Sequence, residues 1–354
     1  MMKTIVFVGW VNQGKSPVDG ETTKNQYIIA ELEKHCQVKV LDFYKKNRHP
    51  WVFFQALWAF LKYPKATIIL STSAVNVYSF LALLFRMRIK RDIIHWVVGG
   101  SFAENVRRHV FGSNCVEVFN YVRLNLVQCE SMVRELKETG LTNVKFVSNF
   151  KIISHYPDLQ SCHRKRDSYG KVRFVFLGRI MPEKGCDYIL VAARMLNEKG
   201  LADKYMIDFY GKVDDSYKNA FMSGLNSFTN LNYHGLLNLR ARESYDLLAT
   251  YHAMLFPSFW KGEGFAGVFI DAFIAGLPVL ASNWSHNAEC IVDGKTGMIY
   301  PTHDVEALSR VMEDCISGKV NLSLMADNAR AEANKYEAGT VMSEEYLRSI
   351  GLVD

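Results

Sequence analysis

The sequence has no Cys-x-x-Cys pair, and its seven cysteines (36, 115, 129, 162, 186, 290 and 315) are odd in number and widely scattered. That pattern excludes a disulfide framework and a zinc ribbon, and fits thiols buried as small hydrophobes in a reducing cytoplasm. Long apolar runs are also missing. The longest, Trp51 to Leu61 and Val77 to Phe85, fall short of the ~18 residues that a membrane-spanning helix needs. No repeat of 20–50 residues and no low-complexity tract occurs, which removes solenoids and repeat arrays. Nor does the start resemble a secretory leader, since Met2-Lys-Thr-Ile-Val-Phe-Val8 reads as a strand.

What remains is a chain of 354 residues, 49% hydrophobic and 22% charged, which suits two ordinary globular domains. Its net charge of +6 conceals an asymmetry, because residues 1–165 carry +11 and residues 166–354 carry −5. A basic half joined to a mildly acidic one is expected to meet anions mainly through the first half, although drift of solvated surface charge produces the same count.

Strand-like and helix-like segments alternate throughout. Strands are expected at Thr4–Val8, Val38–Leu41, Ala66–Leu70, Ile93–Val98, Leu124–Val127 and Val144–Val147, with helices such as Asn25–His35, Trp51–Lys62, Val77–Arg88 and Ser131–Glu138 between them. Residues 160–169 (Gln-Ser-Cys-His-Arg-Lys-Arg-Asp-Ser-Tyr) are polar and without period and read as a linker. The alternation restarts with Arg173–Leu177, Met206–Tyr210, Leu231–His234, Ala253–Pro257, Pro278–Ala281 and Thr296–Tyr300. The expected architecture is α/β, with two doubly wound, Rossmann-like domains: an acceptor-side domain over 1–160, onto which a C-terminal helix near 336–354 packs back, and a donor-side domain over 161–335. Ligands of such sheets bind beyond the carboxyl ends of the strands, which places the site in the cleft between the domains.

Gly9-Trp-Val-Asn-Gln-Gly14-Lys15-Ser16 matches the phosphate-loop pattern letter for letter after a strand. Pro17-Val-Asp-Gly20 follows, a turn signature that stops a helix where the phosphate loop requires one to begin. The alternative is a glycine-rich turn, with Gly14 at its centre, that closes over a ligand before a helix capped by Thr22. Gln26 then supports the helix start.

The second half concentrates the chemistry. A strand ending in Gly178 delivers Arg179 to its carboxyl end, and Lys184-Gly185 follows a turn later, so two cations stand where a diphosphate is neutralised. Further on, Gly262-Glu263-Gly264-Phe265-Ala266-Gly267 is a loop of small residues entering a helix that ends at Gly276. Its first amides suit phosphate, and Glu263 and Asp271 suit sugar hydroxyls.

Gly178-Arg179…Lys184-Gly185, Glu263-Gly264-Phe265 with Asp271, Ala275-Gly-Leu-Pro-Val279 and Asp293-Gly-Lys-Thr-Gly297 together resemble the GT-B glycosyltransferases of family 4 (group 1), over about residues 172–300. The resemblance implies that Arg179 and Lys184 bind a nucleotide-sugar diphosphate. It implies that Glu263 contacts the donor sugar, with Gly264 and the amides of Phe265, Ala266 and Gly267 at phosphates and sugar. Asp271 stands where the family has a ribose-holding Glu. Tyr210-Gly211 and Leu236 fall at the base pocket, where core packing explains Tyr210 and Leu236 equally well.

In the first half, His95 resembles the family's cleft histidine, and Gly99, Gly100 and Ser101 follow it on the acceptor side, with Glu104, Arg107 and Arg108 just beyond. A lone histidine in an apolar strand is equally the pattern of a satisfied core residue. Residues 45–65 combine Lys45, Lys46 and Arg48 with an aromatic helix, Trp51–Lys62, that fits either an anionic membrane surface or one face of a sheet.

The expected function is a retaining transfer of a sugar from a UDP- or GDP-sugar to a glycan or polyprenyl-pyrophosphate-linked glycan, with catalysis carried by Glu263, Arg179, Lys184 and His95. Surface polysaccharide synthesis at the inner face of the cytoplasmic membrane is the expected setting. No cofactor, metal or nucleic acid is expected, in keeping with the absence of Asp-x-Asp. The alternatives are a phosphate-loop NTPase using Gly9–Ser16 and a non-catalytic nucleotide-sugar binding module.

Overall fold

A computed structural model describes residues 2–17, 19–44, 51–107, 109–110 and 113–353. The chain forms two compact units, residues 1–152 with 336–354, and residues 153–335.

In the first unit, β1 (Thr4–Gly9), β2 (Gln37–Asp42), β3 (Thr67–Thr72), β4 (Ile93–Val97), β7 (Leu124–Val127) and β8 (Val144–Phe146) form a parallel sheet in the order β2-β1-β3-β4-β7-β8. A short antiparallel pair, β5 (His109–Val110) and β6 (Ser113–Asn114), lies outside it. Every residue of β3 and β4 is buried, as in a parallel sheet covered on both faces. One face packs Ile5, Phe7, Ile69, Ile94 and Trp96 against Ile28 and Leu32 of the helix Gly20–Glu33. Ala338, Met342, Leu347 and Ile350 join that core from the closing segment. That segment is two short helices, Ala338–Val341 and Glu344–Ser349, where one was expected.

The second unit repeats the scheme with β9 (Val172–Leu177), β10 (Tyr205–Tyr210), β11 (Leu231–Tyr233), β12 (Ala253–Phe256), β13 (Val279–Ser282) and β14 (Gly297–Tyr300), ordered β11-β10-β9-β12-β13-β14. The order reverses between β9 and β12, and a crevice opens at the carboxyl edge at such a point. The corresponding reversal in the first unit falls between β1 and β3.

The stretch expected to be a linker is a helix, Leu159–Asp167, in the second unit. Its inward residues are Cys162 and Arg166, four apart, so no apolar stripe marks it in the sequence. Asp158 caps its first turn by accepting from Ser161 N at 3.0 Å. The buried Arg166 donates to Ala249 O at 3.0 Å and to Gly276 O at 2.9 Å, which satisfies carbonyls at the ends of two other helices. All seven cysteines are free and buried.

Arg166→Met strands these buried carbonyls and is expected to cost about 2 kcal/mol or more in chemical denaturation. Lys165→Met, on the exposed face of the same helix, is expected to change stability by less than about 0.5 kcal/mol. Equal losses in the two variants would refute the role given to Arg166.

Candidate functional site

At the carboxyl edge of the second sheet, the ends of β9, β10 and β12 approach more closely than side chains permit. A Cβ on Gly211 would lie 1.7 Å from Gly178 O, and one on Gly185 would lie 2.2 Å from Pro257 O. Gly178 N donates to Tyr210 O at 3.0 Å, which continues the β9–β10 ladder by one residue. Past Gly178 the chain makes a single 3-10 turn, Pro182–Lys184, and Gly185 then takes a left-handed conformation (φ 74°) that opens the helix Cys186–Glu198.

This path carries Lys184 Nζ onto Glu263 Oε2, in the loop after β12. Ser258 Oγ donates to the same carboxylate oxygen at 2.7 Å. The loop is fixed on several sides. Ser285 Oγ donates to Glu263 O at 2.8 Å, Trp284 Nε1 to Trp260 O at 2.8 Å, and Ser282 Oγ to Ser258 O at 2.6 Å. Phe259 stacks on Tyr188 with ring centres 5.4 Å apart. Arg179, two residues past the end of β9, is exposed, and its charge acts on Asp214 after β10. Phe265 and Ala266 are buried, and no side chain caps the helix Gly267–Ile274 that begins next. Its first amides therefore stay available to an anion.

Asp271 is one turn inside that helix, almost fully buried, and accepts from Tyr245 OH at 2.8 Å. It faces Tyr245 of the helix Arg242–Leu248, at the position where the resemblance implied a hold on ribose. Tyr210 is buried, hydrogen-bonded to Tyr251 OH at 3.1 Å and stacked on His234 at 5.0 Å. Leu236 is 77% exposed, so core packing is excluded for it. Beneath them, Asp208 accepts from Tyr251 OH at 2.7 Å and Asn232 Nδ2 at 2.9 Å, and His234 Nε2 lies 3.1 Å away. Burial pushes the Asp208 carboxyl up, but these hydrogen bonds and the His234 charge together hold it below the usual carboxylate range. Ser258, Tyr245 and the Asp208–Tyr251 pair escaped the sequence reading. Only Ser258 had a local signal, five residues before Glu263 in one loop.

In the first unit the phosphate-loop reading fails on geometry. Asp42, at the end of β2, accepts from Val11 N at 3.0 Å and Gln13 N at 2.8 Å, so a carboxylate occupies amides that would face phosphate. The helix starts at Gly20, well beyond Lys15, and its N-cap is Asp19 in place of Thr22. Thr22 N donates to Asp19 Oδ1 at 2.8 Å. Gln26 instead ties the loop by donating to Val11 O at 2.8 Å. Gly14 sits in the loop at φ 74° with nothing near its Cβ position.

His95 has the surroundings of the core residue that its place in an apolar strand equally allowed. It is fully buried, with Nδ1 3.2 Å from Asn125 Oδ1, Nε2 3.2 Å from Thr72 O, and Phe119 stacked on its face. Burial pushes its ring down to about 4, so it is neutral near pH 7. Gly99 and Gly100 make the turn after β4, and Ser101 precedes the helix Phe102–Val106. Arg107 and Glu104 are exposed, and Arg108 lies outside the described residues.

Two titratable groups missed in the sequence reading stand near this edge. Lys24 is buried and donates to Val97 O at 3.2 Å, and burial pushes its ammonium down to about 7. Glu21, one turn earlier, is pushed up to about 7 by burial, with the Asp19 charge adding to it. Its Oε1 is buried without a hydrogen-bond partner among the described residues.

Two parallel six-stranded sheets in tandem are the layout of the GT-B class of folds. The structure of HepE from Anabaena in complex with UDP-glucose shares this fold, with a TM-score of 0.70 and 16% identity over 98% of this chain and 99% of that one. Residues 163–335, most of the second unit, match the family model described as Glycosyl transferases group 1. It is 27% identical over 155 residues to an uncharacterized 41.2 kDa protein in the cps region of Klebsiella pneumoniae, covering 44% of this chain and 40% of that protein. It is 22% identical over 170 residues to the capsular polysaccharide biosynthesis glycosyltransferase CapM of Staphylococcus aureus, covering 48% and 43%. The matched stretches thus span about two fifths of these curated relatives.

Lys24 supplies a test of the first unit. Its ammonium titrates near 7 in the fold against an ordinary 10.5, so the unfolded chain binds more protons between those values. Its destabilising effect is therefore complete below about pH 7 and fades as pH rises toward the unfolded pKa. Lys24→Met is expected to raise the thermal midpoint relative to wild type more at about pH 6 than at about pH 9. A gain that grows with pH would show that the ammonium is not buried.

Proposed function

We propose that this chain is a retaining, metal-independent glycosyltransferase that moves a sugar from a UDP-sugar to a glycan or lipid-linked glycan acceptor in polysaccharide synthesis. The observation that carries this reading is the convergence of Lys184, Glu263 and Ser258 at the switch point of the second sheet, with Arg179 exposed at the end of β9. A diphosphate draws on Arg179 as a fork and on Lys184 as a point charge, and the uncapped helix start at Gly267 adds its dipole. Glu263 keeps Lys184 neutralised in the free protein. On donor binding it accepts from sugar hydroxyls while Lys184 turns to phosphate.

Chemistry then consists of breaking the bond between the anomeric carbon and the phosphate oxygen. The acceptor oxygen bonds to that carbon from the same face, and its proton passes to the departing diphosphate. Charge builds on the diphosphate in the transition state, where Arg179 and Lys184 are aimed. Two resident cations supply this neutralisation, and the chain has no Asp-x-Asp, which supports a reaction without metal. The Tyr210–His234 stack and the exposed Leu236 suit a base, and the UDP and UDP-glucose complexes of HepE favour uridine. The CapM likeness favours a polysaccharide product, and seven free thiols agree with a cytoplasmic site of action.

Calorimetric titration of UDP, GDP and Mg-ATP, with and without a chelator, tests the reading. UDP is expected to bind whether or not metal is present. Arg179→Ala and Lys184→Ala are expected to weaken it about tenfold or more, while Lys15→Ala leaves it unchanged. Glu263→Gln is expected to retain UDP but to lose release of UDP from UDP-sugars. Retained turnover in Glu263→Gln would remove that residue from the chemistry. Mg-ATP binding that depends on Lys15 and ignores Arg179 would overturn the whole reading.

A further inference from the structure

Among the described residues, seven of the fourteen large hydrophobic side chains that stand exposed fall between residues 54 and 87. They occupy two helices of the first unit. Phe54, Trp58 and Leu61 are spaced as one face of the helix Trp51–Lys62, and Val75, Leu83 and Met87 run along the helix Ala74–Arg86 and its C-cap. Each of these six is 55–70% exposed. The two helices are neighbours, since the Phe60 and Phe80 rings meet edge to face at 6.1 Å. Both connect successive strands, β2 to β3 and β3 to β4, in the same direction across the sheet. Right-handed crossovers therefore put both on one face, and their exposed apolar stripes form one surface.

The charge around this surface is one-sided. Between Asp42 and Asp92 the sequence contains nine Lys or Arg and no Asp or Glu. Lys45, Lys46 and Arg48, which belong to this set, lie outside the described residues. Lys62 closes the first helix and lays its ammonium 4.2 Å from the centre of the Trp58 ring. Arg86, Arg88 and Lys90 surround Met87 at the end of the second, and all three are exposed. Asp92 itself is neutralised by Arg123.

We propose that the exposed face of helices Trp51–Lys62 and Ala74–Arg86 is a docking surface for an anionic phospholipid bilayer. Apolar and aromatic side chains enter the headgroup boundary, and Lys62, Arg86, Arg88 and Lys90 reach lipid phosphates from the rim. An ammonium held over a tryptophan ring keeps a cation and an aromatic side chain together where lipid headgroups meet the acyl boundary. Charge also argues against a second copy as the occupant, because pairing two such faces opposes cations to cations. Among the described residues no helix is long and apolar enough to cross a membrane, so the contact is peripheral. The ends of both helices that carry the cations lie at the amino edge of the sheet, opposite the carboxyl edge that holds Gly99, Glu21 and Lys24.

The test is co-sedimentation of the full chain with vesicles of phosphatidylcholine alone and of phosphatidylcholine with about 30% phosphatidylglycerol. Partition is expected to be about tenfold or more greater on the anionic vesicles and to fall sharply between about 0.1 M and 0.5 M salt. Leu83→Glu with Met87→Glu is expected to abolish it. Lys62→Glu with Arg88→Glu, which leaves the exposed apolar side chains in place, is expected to weaken it to the level of neutral vesicles. UDP titration of the same variants reports on the second unit separately, so loss of vesicle binding with retained UDP binding isolates the surface. Absence of partition, or partition indifferent to both pairs of substitutions, overturns the proposal. So does a concentration-dependent dimer, measured by sedimentation velocity, that the Leu83 and Met87 changes dissolve.

Discussion

The second unit depends on backbone crowding that glycine alone permits. Gly211 lets the ends of β9 and β10 close to a distance at which a side-chain carbon on it would overlap the carbonyl oxygen of Gly178. Gly185 does the same against Pro257, after β12. Because of these approaches the turn after β9 lies against the loop after β12, and Lys184 reaches Glu263. A methyl group on Gly211 or Gly185 would push these segments apart. The ion pair is therefore a consequence of backbone packing. Ser258 and Ser285 then hold the carboxylate and its own backbone in place.

The two units use the carboxyl edges of similar sheets in opposite ways. In the second, amides at a helix start are left without a side-chain cap and Lys184 reaches the loop just before it, which is an environment for polyanions. In the first, Asp19 caps the helix start and Asp42 fills the loop amides, so the same topology is closed to phosphate by its own carboxylates. What is left there is a buried ammonium and a half-buried carboxyl, each displaced toward neutrality. Such an edge suits neutral hydroxyl groups better than it suits diphosphates.

The first unit spends its positive charge elsewhere. Its cations cluster between Asp42 and Asp92, the segment in which two helices turn apolar side chains outward. A helix that covers a sheet must be apolar on its inner face, and Ala59, Val77, Leu81 and Leu84 meet that need. The outer face has no such requirement, so tryptophan and leucine on it point to a second apolar phase.

Much of the fold was written locally. Apolar runs and turn residues placed each strand of both sheets to within a residue or two, and helix Trp51–Lys62 was legible at both ends. The loop holding Gly262, Glu263 and Gly264 and the strand end holding Gly178 and Arg179 were also legible, because small residues at strand ends leave a local signature. Partners were not. Helix Leu159–Asp167 read as a linker because its anchor is an arginine whose acceptors lie some eighty and more residues away. His95 and Asp271 carried the right side chains for chemistry, but Asn125, Thr72 and Tyr245 claim them. The sequence thus determined where backbone turns and which segments are buried, since both follow from neighbours along the chain. Which polar side chain stays available, and which apolar face stays outside, was decided by tertiary packing, since hydrogen-bond partners and covering surfaces come from distant segments.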